Sequence, residues 1–308
     1  AFGGNALLRS DEKGSLDEQV KNVYNTCINL LELIKKGHNI VISHGNGPQI
    51  GNVMIQHQAG EKMFGIISQP MHSCVSETQG SIAYLIEQQL RNILIQNGIK
   101  RNIVSIITQV VVDKNDSAFS KPSKPVGPYY PKEEADAIAE KQGYIFAEDP
   151  RKRGWRRIVA SPKPLKINNC DIIEKLAKEG NIVIAVGGGG IPIIENENGL
   201  YEGIDAVIDK DLASATIANN IGADEFMILT DVPKVYINFN KPNQIALDTI
   251  SIDEANKYMH EGQFAEGSMA PKVKACIMFV ENGGKEAIIT EASQLDDDSF
   301  GTKIVASR

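Results

Sequence analysis

The sequence of 308 residues contains no apolar run that approaches the roughly 18 residues of a membrane-spanning helix. We therefore expect no transmembrane segment, and no signal peptide is visible. The four cysteines are scattered and form no Cys-x-x-Cys pair, at Cys27, Cys74, Cys170 and Cys276. This pattern argues against a disulfide framework or a zinc site and favours the reducing cytoplasm.

No arm or tail of the chain is strongly basic, and the formal net charge is -7. Nucleic-acid binding needs a clustered basic surface, so we expect none. The fingerprint Gly-x-x-x-x-Gly-Lys-Ser/Thr is absent, which excludes a Walker-type P-loop. The run from Gly45 to Gly51 misses the dinucleotide fingerprint by one residue, which disfavours a Rossmann dehydrogenase. The histidines other than His44 are dispersed and predict no metal site.

Short runs rich in isoleucine and valine recur along the chain and alternate with helical patterns. The predicted strands cover residues 39–43, 103–107, 181–186, 226–230 and 287–290. Such continuous apolar runs are typical of parallel strands that are covered on both faces. The alternation of strands and helices predicts an α/β fold with a largely parallel sheet.

Capping signals predict where helices begin. Ser15 and Glu18 have the spacing of a capping box, in which each side chain bonds a free backbone amide of the first turn. The same spacing at Ser76 and Gln79 predicts a second helix, which would end near Gly98.

A proline-rich stretch interrupts the alternation. Seven of the 13 prolines lie in residues 122–164, together with a predicted short helix at 133–141 and a basic run at 151–157. We interpret residues 115–167 as an inserted subdomain, called the flap here, with hinges near residues 113–117 and 161–166. The basic run is either a solvated surface or a lid that attracts anions.

Four glycine-rich loops stand beside predicted strands and helices, and they begin at Gly3, Gly45, Gly187 and Gly267. Glycine lets backbone amides approach an anion closely, and a helix N-terminus adds partial positive charge. Turns also need glycine, so one such loop is weak evidence. In open α/β sheets ligands bind at the carboxyl ends of the strands, where four loops would gather into a phosphate site.

Three lysines have contexts suited to phosphate chemistry. Lys124 lies in the flap, Lys210 stands between two aspartates, and Lys272 follows the fourth glycine loop. An ammonium in such a loop can neutralise a phosphoryl group while charge moves from donor to acceptor, although any one lysine could also be a solvated surface group. Asp211 could hold these lysines or cap a helix, and the two roles are compatible. For His44 a structural role is favoured over contact with substrate.

Taken together, these segments resemble the carbamate kinases, a family of the amino acid kinase superfamily. The matching segments span nearly the whole chain in the family's order. They are Gly3-Gly-Asn-Ala-Leu7, Ser43-His-Gly-Asn-Gly-Pro-Gln49, Lys124-Pro-Val-Gly-Pro-Tyr129, Arg153-Gly-Trp-Arg156, Ser161-Pro-Lys-Pro164, Gly187-Gly-Gly-Gly-Ile-Pro192, Val207-Ile-Asp-Lys-Asp211, Ile228-Leu-Thr-Asp231 and Gly267-Ser-Met-Ala-Pro-Lys272. Residues 148–155 are one residue longer and more basic than the family's usual run, which leaves the local shape of the flap open.

The resemblance implies a three-layer α/β/α sandwich with a largely parallel central sheet and a protruding flap. It implies a reversible phosphoryl transfer between carbamoyl phosphate and ADP that gives carbamate and ATP, usually within arginine fermentation by the arginine deiminase pathway. Family members are homodimers and use Mg²⁺ with the nucleotide. An amino-terminal lobe of about residues 1–220 would bind carbamate or carbamoyl phosphate, and a carboxyl-terminal lobe of about residues 221–308 would bind the nucleotide.

The resemblance also implies roles for individual residues. The phosphates would be contacted by the lysines that Asp211 organises, namely Lys124, Lys210 and Lys272. The transferred group and the substrate would be held by Gly3, Gly4, Asn5, Asn46, Gly47, Gly188 and Gly189. The nucleotide would lie near Thr230, Asp231, Tyr236, Gly267 and Met269.

Two alternatives stay open on the sequence. Another amino acid kinase would act on acetylglutamate, aspartate or UMP, but such relatives generally lack the proline-rich flap and the Asp-Lys-Asp triplet. A nucleotide-binding protein without catalysis is disfavoured by lysines at all three positions. The chain opens at Ala1 as if a first strand had been cut, so we expect a few residues to precede it.

Overall fold

The computed structural model of the chain describes residues 1–3, 7–8, 12–149, 152–295 and 300–307. Two residues of the predicted site, Gly4 and Asn5, lie outside these ranges. The described helices are α1 Leu16–Ile28, α2 Leu31–Lys35, α3 Gly47–Phe64, α4 Met71–Gln96, α5 Ser117–Ser120, α6 Lys132–Gln142, α7 Cys170–Lys178, α8 Lys210–Asn220, α9 Ile252–His260 and α10 Met269–Glu281.

The described strands form an α/β fold with these helices, as predicted. They are β1 Ile40–Ile42, β2 Ile103–Ser105, β3 Gln109–Val111, β4 Lys124–Tyr130, β5 Ile145–Glu148, β6 Trp155–Val159, β7 Lys166–Ile167, β8 Ile182–Ile184, β9 Ile191–Glu195, β10 Tyr201–Gly203, β11 Glu225–Thr230, β12 Val235–Ile237, β13 Ile245–Leu247, β14 Thr249–Ser251, β15 Glu286–Glu291 and β16 Thr302–Val305. All five strands predicted from the sequence are present, as β1, β2, β8, β11 and β15.

Parallel pairing dominates the centre of the molecule. The order β1-β8-β2 is parallel throughout, and β11 pairs in parallel with β15. The sheet β11-β15-β16-β14 continues through an antiparallel β16, and β10-β9-β3-β7 forms a further sheet. The strands β4, β6 and β5, in this order, form a separate antiparallel sheet inside the flap. β12 and β13 form a hairpin.

The residues of β8 pack alternately against helices on the two faces of the sheet. Ile182 and Ile184 belong to the core with α1 and α4, whereas Val183 belongs to the core with α7 and α8. β11 repeats the alternation, because Phe226 packs with α8 and α10 while Leu229 joins the core of α1 and α4. The strands are therefore covered on both faces, and the predicted α/β/α sandwich is confirmed.

The first residues of the chain join the two halves of the sandwich. One half contains the sheet β1-β8-β2, and the other, carboxyl-terminal half contains the sheet β11-β15-β16-β14. Phe2 forms parallel bridges with His44, just after β1, and with Leu229 in β11. The backbone amide of Leu229 donates to the carbonyl of Ala1 at 2.9 Å. This pairing places Gly3 where the carboxyl ends of β1 and β11 meet.

One helix begins earlier than predicted. The capping box of Ser15 at α1 is confirmed, but α4 begins at Met71 with Pro70 at its N-cap. Ser76 lies inside the helix, and its hydroxyl donates to the carbonyl of Ser73 at 2.6 Å. A serine followed three residues later by glutamine thus occurs here in a helix interior, where the amides already have partners. Although α4 is long, neither it nor another described helix is apolar enough to cross a membrane.

The flap uses its basic residues internally. The predicted helix of residues 133–141 is present as α6. The guanidinium of Arg157 lies 3.5 Å from the ring centroid of Tyr144, and Arg153 forms an ion pair with Asp149 at 2.9 Å. These two arginines stabilise the flap itself, which neither interpretation of the basic run foresaw.

Asp116 ties together the two predicted hinges of the flap. One carboxylate oxygen accepts the amide of Ala118 at 2.8 Å, and the other accepts the amide of Lys163 at 3.0 Å. These backbone hydrogen bonds hold the pKa of the Asp116 carboxyl below its ordinary range. The flap therefore leaves and re-enters the sandwich at adjacent points.

The flap packs on α3 through two glycines. A Cβ atom added to Gly51 would lie 2.8 Å from the Cα of Gly127, which no real contact allows without backbone movement. Gly127 has a φ of 74°, in the left-handed region that favours glycine. This close approach fixes where β4, and therefore Lys124, stands over the rest of the molecule.

We predict that Gly51→Ala lowers the free energy of unfolding by about 1 to 3 kcal/mol, because the new methyl group overpacks the contact with Gly127. Gly60→Ala is the matched control, since Gly60 lies in the same helix and its added Cβ would meet nothing closer than 4.0 Å. The control should stabilise the protein by up to about 1 kcal/mol through helix propensity. Urea denaturation of both variants is the measurement, and equal stabilisation by both would contradict the close contact.

Candidate active site

A cleft of about 1260 Å³ opens where the two halves of the sandwich meet. Ligand sites usually measure about 300 to 1,000 Å³, so this cleft has room for a nucleotide and a small second substrate. Three helices begin at its wall, because the N-cap residues Asn46, Asp209 and Ser268 of α3, α8 and α10 line it. Helix N-termini present free amides and partial positive charge, so the cleft favours an anionic ligand.

The structure brings all four residues predicted to be catalytic into this cleft. They are Lys124, Lys210, Asp211 and Lys272. The carboxylate of Asp211 is 4% exposed, and it accepts the ammonium of Lys210 on one oxygen and that of Lys272 on the other, the latter at 3.1 Å. Asp211 therefore holds two positive charges side by side at the junction of the two halves.

Electrostatics keep the Asp211 carboxylate ionised. Burial alone would raise the pKa of this carboxyl, but the ammonium groups of Lys210 and Lys272 outweigh it and hold the pKa well below its ordinary range. Burial lowers the pKa of Lys210, and the negative charge of Asp211 opposes that change. The three groups together carry one net positive charge when all are ionised.

Asp209, which the sequence analysis did not assign, is the cap of α8. One of its oxygens accepts the backbone amides of Asp211 at 3.0 Å and Leu212 at 3.3 Å. Its other oxygen accepts the ammonium of Lys124 at 2.7 Å, across from the flap. The idea that Asp211 acts only as a helix cap is therefore wrong, because Asp209 fills that place.

The glycine run after β8 forms a tight turn that no other residue type could form. Gly188, Gly189 and Gly190 all have φ between 65° and 91°. A Cβ atom on Gly188 would lie 2.3 Å from the side-chain amide of Asn46, which itself donates to the hydroxyl of Thr78 at 2.9 Å. The backbone of the turn can thus lie directly against Asn46 in the cleft wall.

Gln79 holds this turn from the side of α4, a role that was not predicted. Its buried side-chain amide donates to the carbonyls of Gly187 at 2.9 Å and Thr108 at 3.1 Å, and its carbonyl accepts the amide of Thr108 at 2.8 Å. A signal was available, because Gln79 stands on the apolar stripe of α4, four residues after Val75 and three before Ile82. A polar residue at such a position needs buried partners.

His44 has the structural role that the sequence favoured. Its ring is 1% exposed, its Nδ1 donates to the carbonyl of Gly45 at 3.0 Å, and it packs against Gly187. Burial lowers the pKa of His44 to about 4, and the hydrogen bond to Gly45 opposes this only in part. The imidazole is therefore neutral near neutral pH.

The residues predicted for the substrate and the nucleotide divide into two groups. Those that line the cleft are Gly3, Asn46, Gly47, Gly188, Thr230, Asp231 and Gly267. Three others do not line it. Gly189 packs under the carbonyl of Ile208, Tyr236 lies in the β12–β13 hairpin with its ring 5.9 Å from that of Phe239, and Met269 packs against the core of α8 and α10. Lys274, which was not predicted, also lines the cleft.

Three possible metal ligands meet between α3 and α4, away from the cleft. The ligand atoms of His57, Cys74 and Glu77 lie within 4.8 Å of one another, although the histidines had seemed dispersed. His57 Nε2 donates to Glu77 Oε1 at 2.9 Å, which gives these two groups partners. Burial raises the pKa of the Cys74 thiol to about 11, so the sulfur is a neutral thiol near neutral pH in the metal-free protein. The absence of a metal site formed by side chains therefore stays a prediction.

The chain is similar to known proteins in both sequence and structure. The sequence model of the amino acid kinase family matches residues 1–291. Carbamate kinase of Thermococcus kodakarensis is 46% identical over 99% of this chain and 98% of its own length, and that of Pyrococcus horikoshii is 46% identical over 99% and 97%. The solved structure of carbamate kinase from Giardia lamblia bound to AMP-PNP is 40% identical, has a TM-score of 0.91, and covers 99% of this chain and 97% of its own.

The buried His44 predicts a specific dependence of stability on pH. Between the ordinary imidazole pKa of 6.5 and the folded-state pKa of about 4, the unfolded chain binds a proton that the folded protein excludes. The free energy of unfolding therefore falls as the pH falls through this window, by on the order of 3 kcal/mol from His44 alone. The stability advantage of the wild type over His44→Gln should shrink by that amount between about pH 7 and about pH 4. Urea denaturation at several pH values measures it, and a constant difference would contradict the buried neutral imidazole.

Proposed function

Because the chain belongs to the carbamate kinases of the amino acid kinase family, we propose that it moves a phosphoryl group reversibly between carbamoyl phosphate and ADP, giving carbamate and ATP. The observation that carries this proposal is the buried Asp211 carboxylate, which holds Lys210 and Lys272 at the floor of an anion-binding cleft. Positioned positive charge without a nucleophilic side chain is what phosphoryl transfer between two anions requires.

The reaction needs no general base. In the direction of ATP formation, a terminal phosphate oxygen of ADP attacks the phosphorus of carbamoyl phosphate. The bond from phosphorus to the carbamate oxygen breaks, and carbamate leaves as an anion with the electron pair. The reverse reaction uses the carbamate anion as nucleophile, so no proton moves in either direction. Rate enhancement then comes from alignment and charge neutralisation.

Each wall of the cleft has its part in this mechanism. The ammonium groups of Lys210 and Lys272 neutralise charge on the transferred phosphoryl group, and Lys124 approaches it from the flap. The backbone amide of Gly47 and the side chain of Asn46 hold the carbamoyl phosphate. Gly188 lies against Asn46 in the same wall, and its own amide donates to the carbonyl of His44 at 2.7 Å. These groups are fixed before substrate arrives, so they need little reorganisation during transfer.

The nucleotide lies on the other side, within the lobe of residues 221–308, against the remaining predicted residues. These are Thr230, Asp231 and Gly267 at the cleft wall, together with Tyr236 and Met269, which do not line the cleft. Gly3 approaches the transferred group between the two substrates, whereas Gly4 and Asn5, for which the family implies the same role, lie outside the described residues. The amino-terminal lobe, about residues 1–220, holds carbamate or carbamoyl phosphate.

Magnesium fits this site as an ion bound by the phosphates of the nucleotide. The carboxylates of Asp209 and Asp211 already accept lysine ammonium groups, so they are poorly placed to bind a cation. Mg²⁺ commonly keeps several waters and binds substrate phosphates, which leaves the phosphate oxygens of ADP or ATP to hold it. There it would neutralise phosphate charge alongside the lysines.

We propose the biological setting from family membership alone. We place the reaction in the arginine deiminase pathway of arginine fermentation, in the cytoplasm, with the enzyme acting as a homodimer.

ATP formation from carbamoyl phosphate and ADP, coupled to hexokinase and glucose-6-phosphate dehydrogenase, tests the proposed reaction. We expect turnover with this pair and none above background when ATP is offered with acetylglutamate, aspartate or UMP. Turnover with one of those acceptors, and none with carbamoyl phosphate, would overturn the proposal in favour of another amino acid kinase.

We predict that Lys272→Ala lowers kcat by a factor on the order of 100 or more, because a charge contact made in the transition state is lost. The KM for ADP should change less, since several other groups hold the nucleotide. Lys178→Ala is the matched control, because Lys178 is an exposed lysine of α7 that pairs with Glu174 outside the cleft. Near-normal turnover in Lys272→Ala would remove Lys272 from the mechanism.

A further inference from the structure

One carboxylate connects the flap to the phosphate-binding lysines. Asp209 lies immediately before Lys210 and Asp211, and it receives Lys124 from β4 of the flap at 2.7 Å. The same carboxylate caps the helix that carries Lys210 and Asp211. Lys124 of the flap and the Lys210–Asp211 pair at the floor of the cleft are therefore both fixed by the first turn of α8.

The contact is more than a chance surface pair. The side chain of Asp209 is 15% exposed and that of Lys124 is 35% exposed, so the pair is partly shielded from water. The Asp209 carboxylate is also fixed in orientation, because its other oxygen is committed to two backbone amides of α8. A preorganised acceptor orders Lys124 at lower entropic cost than a free side chain would.

We propose that Asp209 is a positioning residue that holds Lys124, and with it the flap, over the cleft before substrate binds. In this arrangement Lys124 waits beside the phosphate site, and an incoming phosphoryl group competes with Asp209 for its ammonium. The part of this inference that concerns turnover rests on the proposed function, whereas the part that concerns the closed flap does not.

The variant Asp209→Asn separates the two roles of this residue. Asparagine caps helices about as well as aspartate, so α8 should keep its first turn. Its uncharged amide, however, cannot form an ion pair with Lys124. The matched control is Asp171→Asn, which removes an exposed carboxylate from the first turn of α7, away from the cleft.

Hydrogen exchange of the ligand-free protein is the first measurement. In Asp209→Asn the amides of the hinges, residues 113–117 and 161–166, should exchange about two to five times faster, which is the factor expected for a partly exposed ion pair. Amides of α8 should keep their wild-type rates, and Asp171→Asn should resemble the wild type at the hinges. Unchanged hinge exchange in Asp209→Asn would overturn the proposal.

A double-mutant cycle decides whether the effect passes through Lys124. In a Lys124→Met background the ion pair is already absent, so Asp209→Asn should change hinge exchange no further. A full additional effect in that background would overturn the proposal in favour of a purely structural role for Asp209. Both measurements are made without substrate, so they stand whatever reaction the enzyme catalyses.

Steady-state kinetics then test the consequence for turnover. Asp209→Asn should lower kcat by about tenfold with little change in the KM for ADP, since misplacement of one charged group slows the chemical step. Wild-type kcat combined with faster hinge exchange would overturn the claim that Asp209 positions Lys124 for the reaction. A wild-type enzyme inactive with carbamoyl phosphate would instead refute the proposed function and leave the exchange result intact.

Discussion

The site depends on one buried carboxylate that stands between two ammonium groups. Two lysines this close would repel each other inside the protein, and burial would penalise their charges further. Asp211 makes the arrangement stable by accepting both, one from its own helix and one from α10 in the carboxyl-terminal half. The ion-pair cluster therefore also ties the two halves of the sandwich together beneath the cleft.

The other parts of the cleft follow from the same need to place positive charge without moving it. Three helix N-termini face the cleft, and the glycine turn after β8 lets the backbone lie directly against Asn46 in the cleft wall. Gln79 holds that turn from the interior of α4, and the Gly51–Gly127 contact fixes the height of the flap above it. Rigid packing at a distance thus sets the geometry of the groups expected to touch phosphate.

Much of this could be predicted from the sequence, because its signals are local. Strands buried on both faces show as runs of isoleucine and valine, and the capping box at Ser15 is a pattern of four residues. The partners of Gln79 and Asp209 could not be predicted in this way. The partners of Gln79 lie 29 and 108 residues along the chain, and Lys124 lies 85 residues from Asp209, so their roles exist only once the flap and sheet have folded. At Ser76 a local pattern misled, because helix interiors can contain the same spacing.

The ionisation state of Asp211 is the most direct test of this account. Carbon-13 NMR of the aspartate side-chain carboxyls, with the Asp211 signal assigned by its loss in Asp211→Asn, follows each carboxyl as the pH is lowered. The account predicts that the Asp211 signal stays at its ionised chemical shift down to about pH 3, below the ordinary aspartate pKa of 3.8. A signal that titrates at or above 3.8 would show that the two lysines do not hold the charge of Asp211, and would contradict the central claim.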